Sequence, residues 1–398
     1  MECKTGMILE HYGENYEKYY NAIVPPVFMN SLHVFDSIDE YYDLNVTDKE
    51  SYCYGRVQNP TVRILEDKIA ALEAGEVCYV FSSGMAAATA AVLSVCTMGG
   101  HVICVRNAYG PLKNFLTGYC QEHMNIKTTF VEGSRIEEFE NALTEKTQLI
   151  VLESPSSVVF SVQDIKTVSE LARKKGAKVY IDNTYCTPIY QKPLELGVDI
   201  AMHTTSKYLG GHSDLIGGAL ILKDRELADK IRNMREQLGS IIGPMEGWLI
   251  LRGLRTLEIR VKEHGRTAKD IAEWLEKHPK VKHVYYPGLS SHRQAELIEK
   301  QQSGSTGLLS FQIDGTVEQA KQFCEMLKVF KIGVSWGGFE SLVMMPYARL
   351  SEEEAESMGG SSNIIRIHCG LEGKEILKQD LENAFDAVYK NDESDGKE

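Results

Sequence analysis

Residues 148–182, QLIVLESPSSVVFSVQDIKTVSELARKKGAKVYID, decide the fold class. The stretch contains a short apolar run, QLIVLE, an amphipathic segment, DIKTVSELARKKG, and a second apolar run, KVYID. Short runs rich in β-branched residues that alternate with amphipathic helices are typical of crossover units in a parallel sheet. We therefore predict an α/β protein whose mainly parallel sheet is covered by helices on both faces.

The same alternation continues on both sides of this stretch. VCYVF (77–81), HVICV (101–105) and IKTTFV (126–131) are predicted strands, each followed by a helix, and the pattern extends to GGALILK (217–223). Residues 1–60 lack this periodicity and are predicted to form an arm that packs on another surface. Downstream, long helices, including one predicted over 245–278, mix with strands such as IIRIHC (364–369). We predict an N-terminal arm (1–60), a large domain (61–247) and a smaller α+β domain (248–398).

Composition restricts the class of partner. The chain of 398 residues has a formal net charge of −13, whereas nucleic acids and anionic membranes attract surfaces rich in lysine and arginine. Nine cysteines are scattered without a CxxC pair, as is typical of reduced thiols in a cytosolic protein. No apolar run approaches the roughly 18 residues that span a bilayer. We predict a cytoplasmic protein that binds neither nucleic acid nor membrane, and the net charge is compatible with a local basic pocket for a small anionic ligand.

Several common catalytic motifs are absent. The sequence has no GxxxxGKS/T, GxGxxG, HExxH or GxSxG motif and no cysteine–histidine spacing typical of a metal site. His212 and Asp214, in GGHSD, are too few to indicate a metal site. We predict no metal.

Two features follow predicted strands, where open parallel sheets bind their ligands. SSGMA (82–86) opens a helix, whose backbone N–H groups could hold a phosphate; the alternative is a tight turn in which Ser83 caps the helix. Asp182 ends the strand KVYID, where a buried carboxylate needs a partner or a chemical task. The alternative for Asp182 is a cap for the next segment.

Two cationic side chains lie in unusual surroundings. Lys207, in TTSKYLGGHSD (204–214), follows hydroxyl groups that can bind an anion. A lysine can form a Schiff base with a carbonyl compound, although a surface lysine in a glycine-rich turn is the commoner case. Arg366 lies inside the apolar run IIRIHC, where its guanidinium either reaches solvent or binds a buried carboxylate with its planar fork.

Taken together and in order, nine motifs resemble the Cys/Met-metabolism family of pyridoxal-phosphate (PLP) dependent enzymes. They span nearly the whole chain: YGRVQNPTVRILEDKIAALEAGE, SSGMAA, AYG, ESP, IDNTY, TSKYLGGHSDLIGG, RGLRTL, SWGGFESL and IIRIHCGLE. The resemblance implies the aspartate-aminotransferase-type fold (fold type I), pyridoxal 5'-phosphate as cofactor and a small amino acid as substrate.

The resemblance also implies roles for individual residues. Lys207 would bond to the cofactor and move the Cα proton, Asp182 would pair with the pyridine nitrogen, and Tyr109 would stack on the ring and act as an acid. The other residues implied to hold the cofactor are Ser83, Gly84, Met85, Ser157, Thr204 and Ser206, with Tyr54 and Arg56 from a neighbouring subunit. Ser335, Trp336 and Arg366 would bind the substrate. Sites shared between subunits imply a homotetramer built as a dimer of dimers.

The branch of the family is indicated by four residues. Trp336, Pro111 and Ser157 resemble the cystathionine β-lyase branch, although Ser157 replaces an asparagine that contacts the cofactor's phenolic oxygen in many relatives. Val334 replaces the glutamate of cystathionine γ-lyases and γ-synthases and cannot pair with the distal ammonium group of cystathionine. We expect β-elimination from L-cystathionine or L-cysteine. γ-Elimination, γ-replacement and a non-catalytic PLP-binding homologue are the alternatives.

Overall fold

The computed structural model describes residues 5–44 and 51–395 and contains two sheets. The larger sheet has seven strands: β1 (Val77–Phe81), β2 (His101–Val105), β3 (Lys127–Val131), β4 (Thr147–Glu153), β5 (Lys178–Asp182), β6 (Ile200–His203) and β7 (Gly218–Leu222). Their spatial order is β1-β7-β6-β5-β4-β2-β3. Strand β7 pairs antiparallel with β1 and β6, and the other pairs are parallel. The predicted, mainly parallel sheet is therefore present.

Helices connect these strands and bury them. Every residue of β2 and β7 is buried, as expected of strands with both faces covered. Asp164 begins the helix within the opening stretch, since its carboxylate accepts a hydrogen bond from the backbone N–H of Thr167 at 3.0 Å. The helical segments around this sheet are Pro60–Leu72, Gly84–Val95, Gly110–Phe115, the π turn Leu116–Cys120, Gln121–Met124, Ile136–Ala142, Ile165–Lys174, Thr187–Tyr190, the 3-10 turn Pro193–Glu195 and Arg225–Leu238.

The smaller sheet follows in sequence and has its own hydrophobic core. Its strands are β8 (Val281–Tyr285), β9 (Leu308–Ile313), β10 (Lys331–Ile332), β11 (Leu342–Met344) and β12 (Ile364–His368), in the order β10-β11-β12-β9-β8. The helices of this region are Leu257–Leu275, Ala295–Gln301, Val317–Met326, Glu352–Ser357 and Lys374–Asp395. The motif SWGGFESL lies largely in the loop between β10 and β11.

The prediction of a single helix over 245–278 is wrong, because the segment forms two helices, Pro244–Leu254 and Leu257–Leu275. The break follows Gly253, which packs so closely on Gly210 that a Cβ at Gly253 would overlap the Gly210 carbonyl oxygen. The carbonyl of Gly253 accepts a hydrogen bond from Arg260 Nη2 at 2.7 Å. A tertiary contact and a side-chain donor thus interrupt a sequence that is helical by its pattern.

The N-terminal arm contains the helices Thr5–His11 and Ile38–Tyr42 and the 3-10 turn Tyr16–Tyr19. Its buried Glu14 anchors it to the rest of the chain by accepting from Lys68 Nζ at 2.7 Å and Arg255 Nη2 at 3.1 Å. The three predicted domain limits stay a prediction. The predicted limit at residue 248 falls inside the helix Pro244–Leu254. Residues 1–4 and 45–50 of the arm and residues 396–398 of the C-terminal domain lie outside the described residues.

The cysteines within the described residues, eight in number, carry free thiols, and Cys3 lies outside those residues. In the part of the chain that the structure describes, the helices are too short or too polar to cross a membrane.

Candidate active site

The carboxyl ends of β1, β2, β4, β5 and β6 lead into segments that border one cavity of about 760 Å³. The loop between β10 and β11, together with β12, contributes the remaining wall. Ligand sites at this edge of a parallel sheet follow from the way the strand-end loops converge. Twelve of the predicted site residues line the cavity: Ser83, Gly84, Met85, Tyr109, Ser157, Asp182, Thr204, Ser206, Lys207, Ser335, Trp336 and Arg366.

One end of the cavity is suited to an anion. The helix Gly84–Val95 begins there, and Ser83 Oγ caps it by accepting from the Ala86 N–H at 3.0 Å, so the capping alternative for Ser83 is confirmed. Gly84 lies against Thr204, because a Cβ at Gly84 would overlap Thr204 Oγ1. The first-turn N–H groups therefore border a space walled by small and hydroxyl-bearing residues, an arrangement whose chemistry suits a phosphate.

Two carboxyl groups stand side by side at the ends of β4 and β5, where Glu153 and Asp182 are register partners. Asp182 Oδ1 accepts from the Thr184 N–H at 2.9 Å, the turn contact that the sequence left as an alternative. Burial raises the pKa of Asp182 and raises that of Glu153 to about 8, with the neighbouring Asp182 adding to the second shift. Carboxyl groups whose pKa values are raised in this way are stabilised as anions by a cationic group placed beside them.

Lys207 supplies the amine of the cavity. Its Nζ donates to Ser335 Oγ and lies 5.3 Å from the centroid of the Trp336 ring. Burial lowers the pKa of Lys207 to about 8, and the nearby guanidinium of Arg366 acts in the same direction. Lys207 is therefore a cavity lysine rather than a solvated one, and its neutral form is more populated near pH 7 than that of an ordinary lysine.

The loop that carries Ser335 is held tightly against the lysine. Ser335 has a φ of +98° and Gly337 a φ of +87°, in the region that favours glycine. A Cβ at Gly337 would lie 2.8 Å from the backbone nitrogen of Tyr208 and 3.1 Å from the carbonyl carbon of Lys207. The absence of a side chain at Gly337 allows this close approach between the loop and the segment bearing Lys207.

Arg366 projects from β12 and is 8% exposed. Its guanidinium donates from Nη1 to the carbonyl of Ser157 at 3.2 Å and contacts Met344 Sδ from Nη2 at 2.8 Å. Among residues 5–44 and 51–395 it forms no ion pair with a carboxylate, so the expected carboxylate partner does not come from the described protein. Burial lowers the pKa of Arg366 to about 10. The guanidinium is available to a carboxylate in the cavity.

The rest of the wall is largely apolar. Its apolar side chains include Pro111, Val158, Ile216, Val334, Met344, Pro346 and Met358. Val334 is 82% exposed and Tyr109 is 52% exposed. Of the described residues around the cavity, Glu153 and Asp182 carry its carboxylates, and both belong to the strand ends rather than to the wall near Val334.

Two predicted residues are not brought to this cavity. Tyr54 and Arg56 line a separate cleft of about 250 Å³. Arg56 Nη1 donates to the carbonyl of Glu236 at 3.0 Å, and its guanidinium carbon lies 5.7 Å from the Tyr54 ring centroid. Their predicted role concerned a neighbouring subunit and stays a prediction.

Two cavity residues and one buried pair outside the cavity lining were not recognised in the sequence. Glu153 ends β4 as Asp182 ends β5, and this shared position was the signal that could have identified it. Lys113 lines the cavity and donates to the Arg106 carbonyl at 2.7 Å. Behind Asp182, His203 Nε2 lies 3.3 Å from Glu73 Oε1, and both side chains are fully buried. No local sequence pattern distinguishes Lys113 or Glu73 from ordinary helix residues.

Residues 6–386 match the family described as Cys/Met metabolism PLP-dependent enzyme. The chain belongs to this family.

Several relatives and one solved structure are similar to this PLP-dependent enzyme over nearly its whole length. Cystathionine gamma-synthase 1, chloroplastic, of Arabidopsis thaliana is 38% identical over 390 residues, which are 96% of this chain and 69% of that protein. L-methionine gamma-lyase of Fusobacterium nucleatum subsp. polymorphum is 35% identical, covering 93% and 95%. Cystathionine beta-lyase of Coxiella burnetii is also 35% identical, covering 94% and 96%. The crystal structure of metB from Corynebacterium glutamicum superposes with a TM-score of 0.90 at 32% identity, covering 97% and 98%.

The predicted family, fold type and cofactor are thereby confirmed: this is a PLP-dependent enzyme of cysteine and methionine metabolism with a fold-type-I architecture. The cavity fits the cofactor, because it combines a helix N-terminus for a phosphate, a strand-end carboxylate at Asp182 for a pyridinium and an amine at Lys207 for an aldehyde. The relatives include a γ-synthase, a γ-lyase and a β-lyase. Membership of the family therefore indicates lyase or synthase chemistry, but it does not identify which of these reactions the enzyme catalyses.

Proposed function

We propose that this enzyme catalyses β-elimination from L-cystathionine or L-cysteine, giving homocysteine or hydrogen sulfide together with pyruvate and ammonia. The observation that carries the proposal is that Trp336, Pro111 and Ser157, the three residues that resemble β-lyases, line the same cavity as Lys207. Their convergence from separate loops is consistent with a common effect on one substrate.

Different residues of the chain would bind different parts of the cofactor. Lys207 would carry it covalently, and the carboxylate of Asp182 would pair with its protonated pyridine nitrogen, whose positive charge would offset the raised pKa that burial gives Asp182. Tyr109 would stack on the ring. The phosphate would be held by the helix N-terminus and hydroxyl groups at Ser83, Gly84, Met85, Thr204 and Ser206, and Ser157 would border the phenolic oxygen.

Pyridoxal phosphate, when bound, supplies an electron sink that stabilises negative charge at the substrate Cα. Arg366 binds the substrate carboxylate through its planar fork, with Ser335 Oγ beside it. Lys207 accepts the Cα proton at Nζ, and its pKa of about 8 makes the neutral amine available for that transfer. The phenol of Tyr109 donates a proton to the sulfur that leaves Cβ. The released enamine hydrolyses in water to pyruvate and ammonia.

The character of the wall near Val334 supports a short or uncharged substrate tail. The exposed valine offers no partner to a distal ammonium group, and the neighbouring wall is apolar. A charged group that loses water without gaining a partner is disfavoured. We therefore place L-cysteine and other short thio-amino acids ahead of cystathionine among its substrates.

We also propose a cytoplasmic homotetramer in which two subunits share each site. Large apolar side chains on the arm, such as Tyr20, Val34 and Tyr42, are exposed by 99%, 88% and 77%, which supports packing on a second copy. Arg56 and Tyr54 lie outside the cavity of their own chain and would serve that of the neighbour. The free thiols support a reducing compartment.

The test is to identify the keto acid released by the purified enzyme from cystathionine, cysteine and methionine. The proposal predicts pyruvate, with loss of its release in Lys207→Ala. Release of 2-oxobutanoate would establish γ-elimination instead, and formation of cystathionine from cysteine and an activated homoserine would establish γ-replacement. Absence of all these products would indicate a non-catalytic homologue.

A further inference from the structure

Glu153 is a buried carboxyl group to which the proposed chemistry assigns no task. It is 6% exposed at the end of β4. Its Oε2 accepts from the Tyr109 N–H at 2.7 Å, and its Oε1 accepts from the Ser157 N–H at 3.0 Å. One side chain therefore joins the loop that follows β2 to the loop that follows β4.

The connection continues to Arg366. The carbonyl of Ser157 accepts from Arg366 Nη1 at 3.2 Å, and the N–H of the same Ser157 is held by Glu153. The charge of Glu153 also favours the protonated form of Arg366 by raising its pKa against the larger lowering effect of burial. Tyr109 and Arg366, to which the proposed function assigns the leaving sulfur and the substrate carboxylate, are thus linked through a single carboxyl group.

We propose that Glu153 is a positioning residue, whose two carboxyl oxygens set the placement of Tyr109 relative to Arg366 and thereby the geometry in which an amino-acid substrate is bound. The inference rests on the proposed function, because it takes Arg366 as the seat of the substrate carboxylate. The half-exposed ring of Tyr109 is not enclosed by protein, so its main-chain anchor on Glu153 carries much of its placement.

The two contacts favour the ionised form of Glu153, because hydrogen bonds from the Tyr109 and Ser157 N–H groups lower its pKa against the larger effects of burial and of Asp182, which together raise it to about 8. Both partners are backbone N–H donors, and a carboxylate offers an acceptor oxygen to each of them. An amide of the same shape offers one oxygen and turns its amino group towards the other donor. Glu153→Gln consequently keeps the volume of the side chain, loses one hydrogen bond and leaves a buried donor unpaired.

The experiment compares Glu153→Gln with Asp380→Asn in the holoenzyme. Asp380 is the matched control, because it is likewise 6% exposed and accepts from the N–H groups of Lys328, Val329 and Phe330 at 2.8, 2.8 and 3.1 Å, yet it lies on the helix Lys374–Asp395, away from the cavity lining. The dissociation constant of L-alanine, an amino acid without a leaving group, is measured from the visible absorbance of the bound cofactor. KM and kcat are measured for keto-acid release.

In Glu153→Gln we expect the dissociation constant of L-alanine to rise about tenfold, because binding must then restore a placement that one buried hydrogen bond had fixed, and we expect kcat to fall with it. Asp380→Asn is expected to keep both values within about twofold of wild type and to lower only the urea midpoint. The proposal is overturned if Glu153→Gln binds L-alanine as wild type does, or changes no more than the control.

If Glu153→Gln does not fold, Glu153→Asp decides by the same measurement, since it keeps the carboxylate on a shorter stem. Weaker binding of L-alanine by Glu153→Asp supports the proposal, and wild-type binding overturns it. Failure of the proposed function is seen separately in the wild-type enzyme, which would then release 2-oxobutanoate or no keto acid while the comparison of L-alanine binding still stands.

Discussion

Gly337→Ala tests whether the loop of Ser335 must lie against the backbone of Lys207. The added methyl group would sit 2.8 Å from the Tyr208 nitrogen and 3.1 Å from the Lys207 carbonyl carbon, so one of the two segments must move. Overpacking of this kind costs about 1–3 kcal/mol, and the φ of +87° adds a backbone cost of about 1–3 kcal/mol for a residue with a side chain. Because a displacement of about 1 Å in a catalytic group costs about a hundredfold, a shift of a few tenths of an ångström is expected to lower kcat/KM about tenfold.

Gly99→Ala is the matched control for this substitution. Gly99 has a φ of +75° and nothing within 4 Å of an added Cβ, so the variant experiences the backbone cost without the collision. The assay is the initial rate of keto-acid release, read beside the urea midpoint of each variant. Both variants are expected to be destabilised, and Gly337→Ala alone is expected to lose activity. Equal rates in the two variants would refute the claimed contact between loop and lysine.

Three further predictions concern the charges of the cavity. Arg366→Lys is expected to raise KM about tenfold with a smaller effect on kcat, because a lysine cannot present a planar fork to the carboxylate; an unchanged KM would contradict this role. In the cofactor-free protein, the rate of Lys207 acylation, followed by mass spectrometry, is expected to rise about tenfold per pH unit and to level off above pH 8. The reason is that only the neutral amine reacts and its pKa is lowered to about 8. A midpoint of the rate profile near pH 10 would contradict the buried environment. Val334→Glu is expected to raise the ratio of kcat/KM for cystathionine to kcat/KM for cysteine about threefold, because the new carboxylate can form one exposed ion pair with the distal ammonium group. An unchanged ratio would mean that the substrate tail does not lie near Val334.

The sheet could be predicted from the sequence because its buried strands and amphipathic helices have distinct hydrophobic periods. The segment QLIVLE to KVYID folds into β4, a helix and β5 as expected. The helix break after Gly253 was missed, because it depends on contact with Gly210, which is distant in the chain. Hydrophobic periodicity contains no information about such a contact.

The site was predicted to a similar extent and for related reasons. Asp182 and Arg366 are recognisable as charged side chains at or within apolar runs, Lys207 is recognisable by the hydroxyl groups that precede it, and the family resemblance supplies their proposed roles. Glu153 was overlooked although it ends a strand in the same way as Asp182. Its importance follows from the register of β4 and β5 and from its bonds to Tyr109 and Ser157, which depend on the order of strands in the folded sheet.

The most direct test of the account is to locate the cofactor on the chain. The purified enzyme is reduced with borohydride, digested and sequenced by mass spectrometry to find the residue that carries the phosphopyridoxyl group. The account predicts modification of Lys207, whose amine lies beside Ser335 and Trp336 in the cavity. Modification of Lys113, the other lysine of the described cavity wall, or no modification at all, would contradict it.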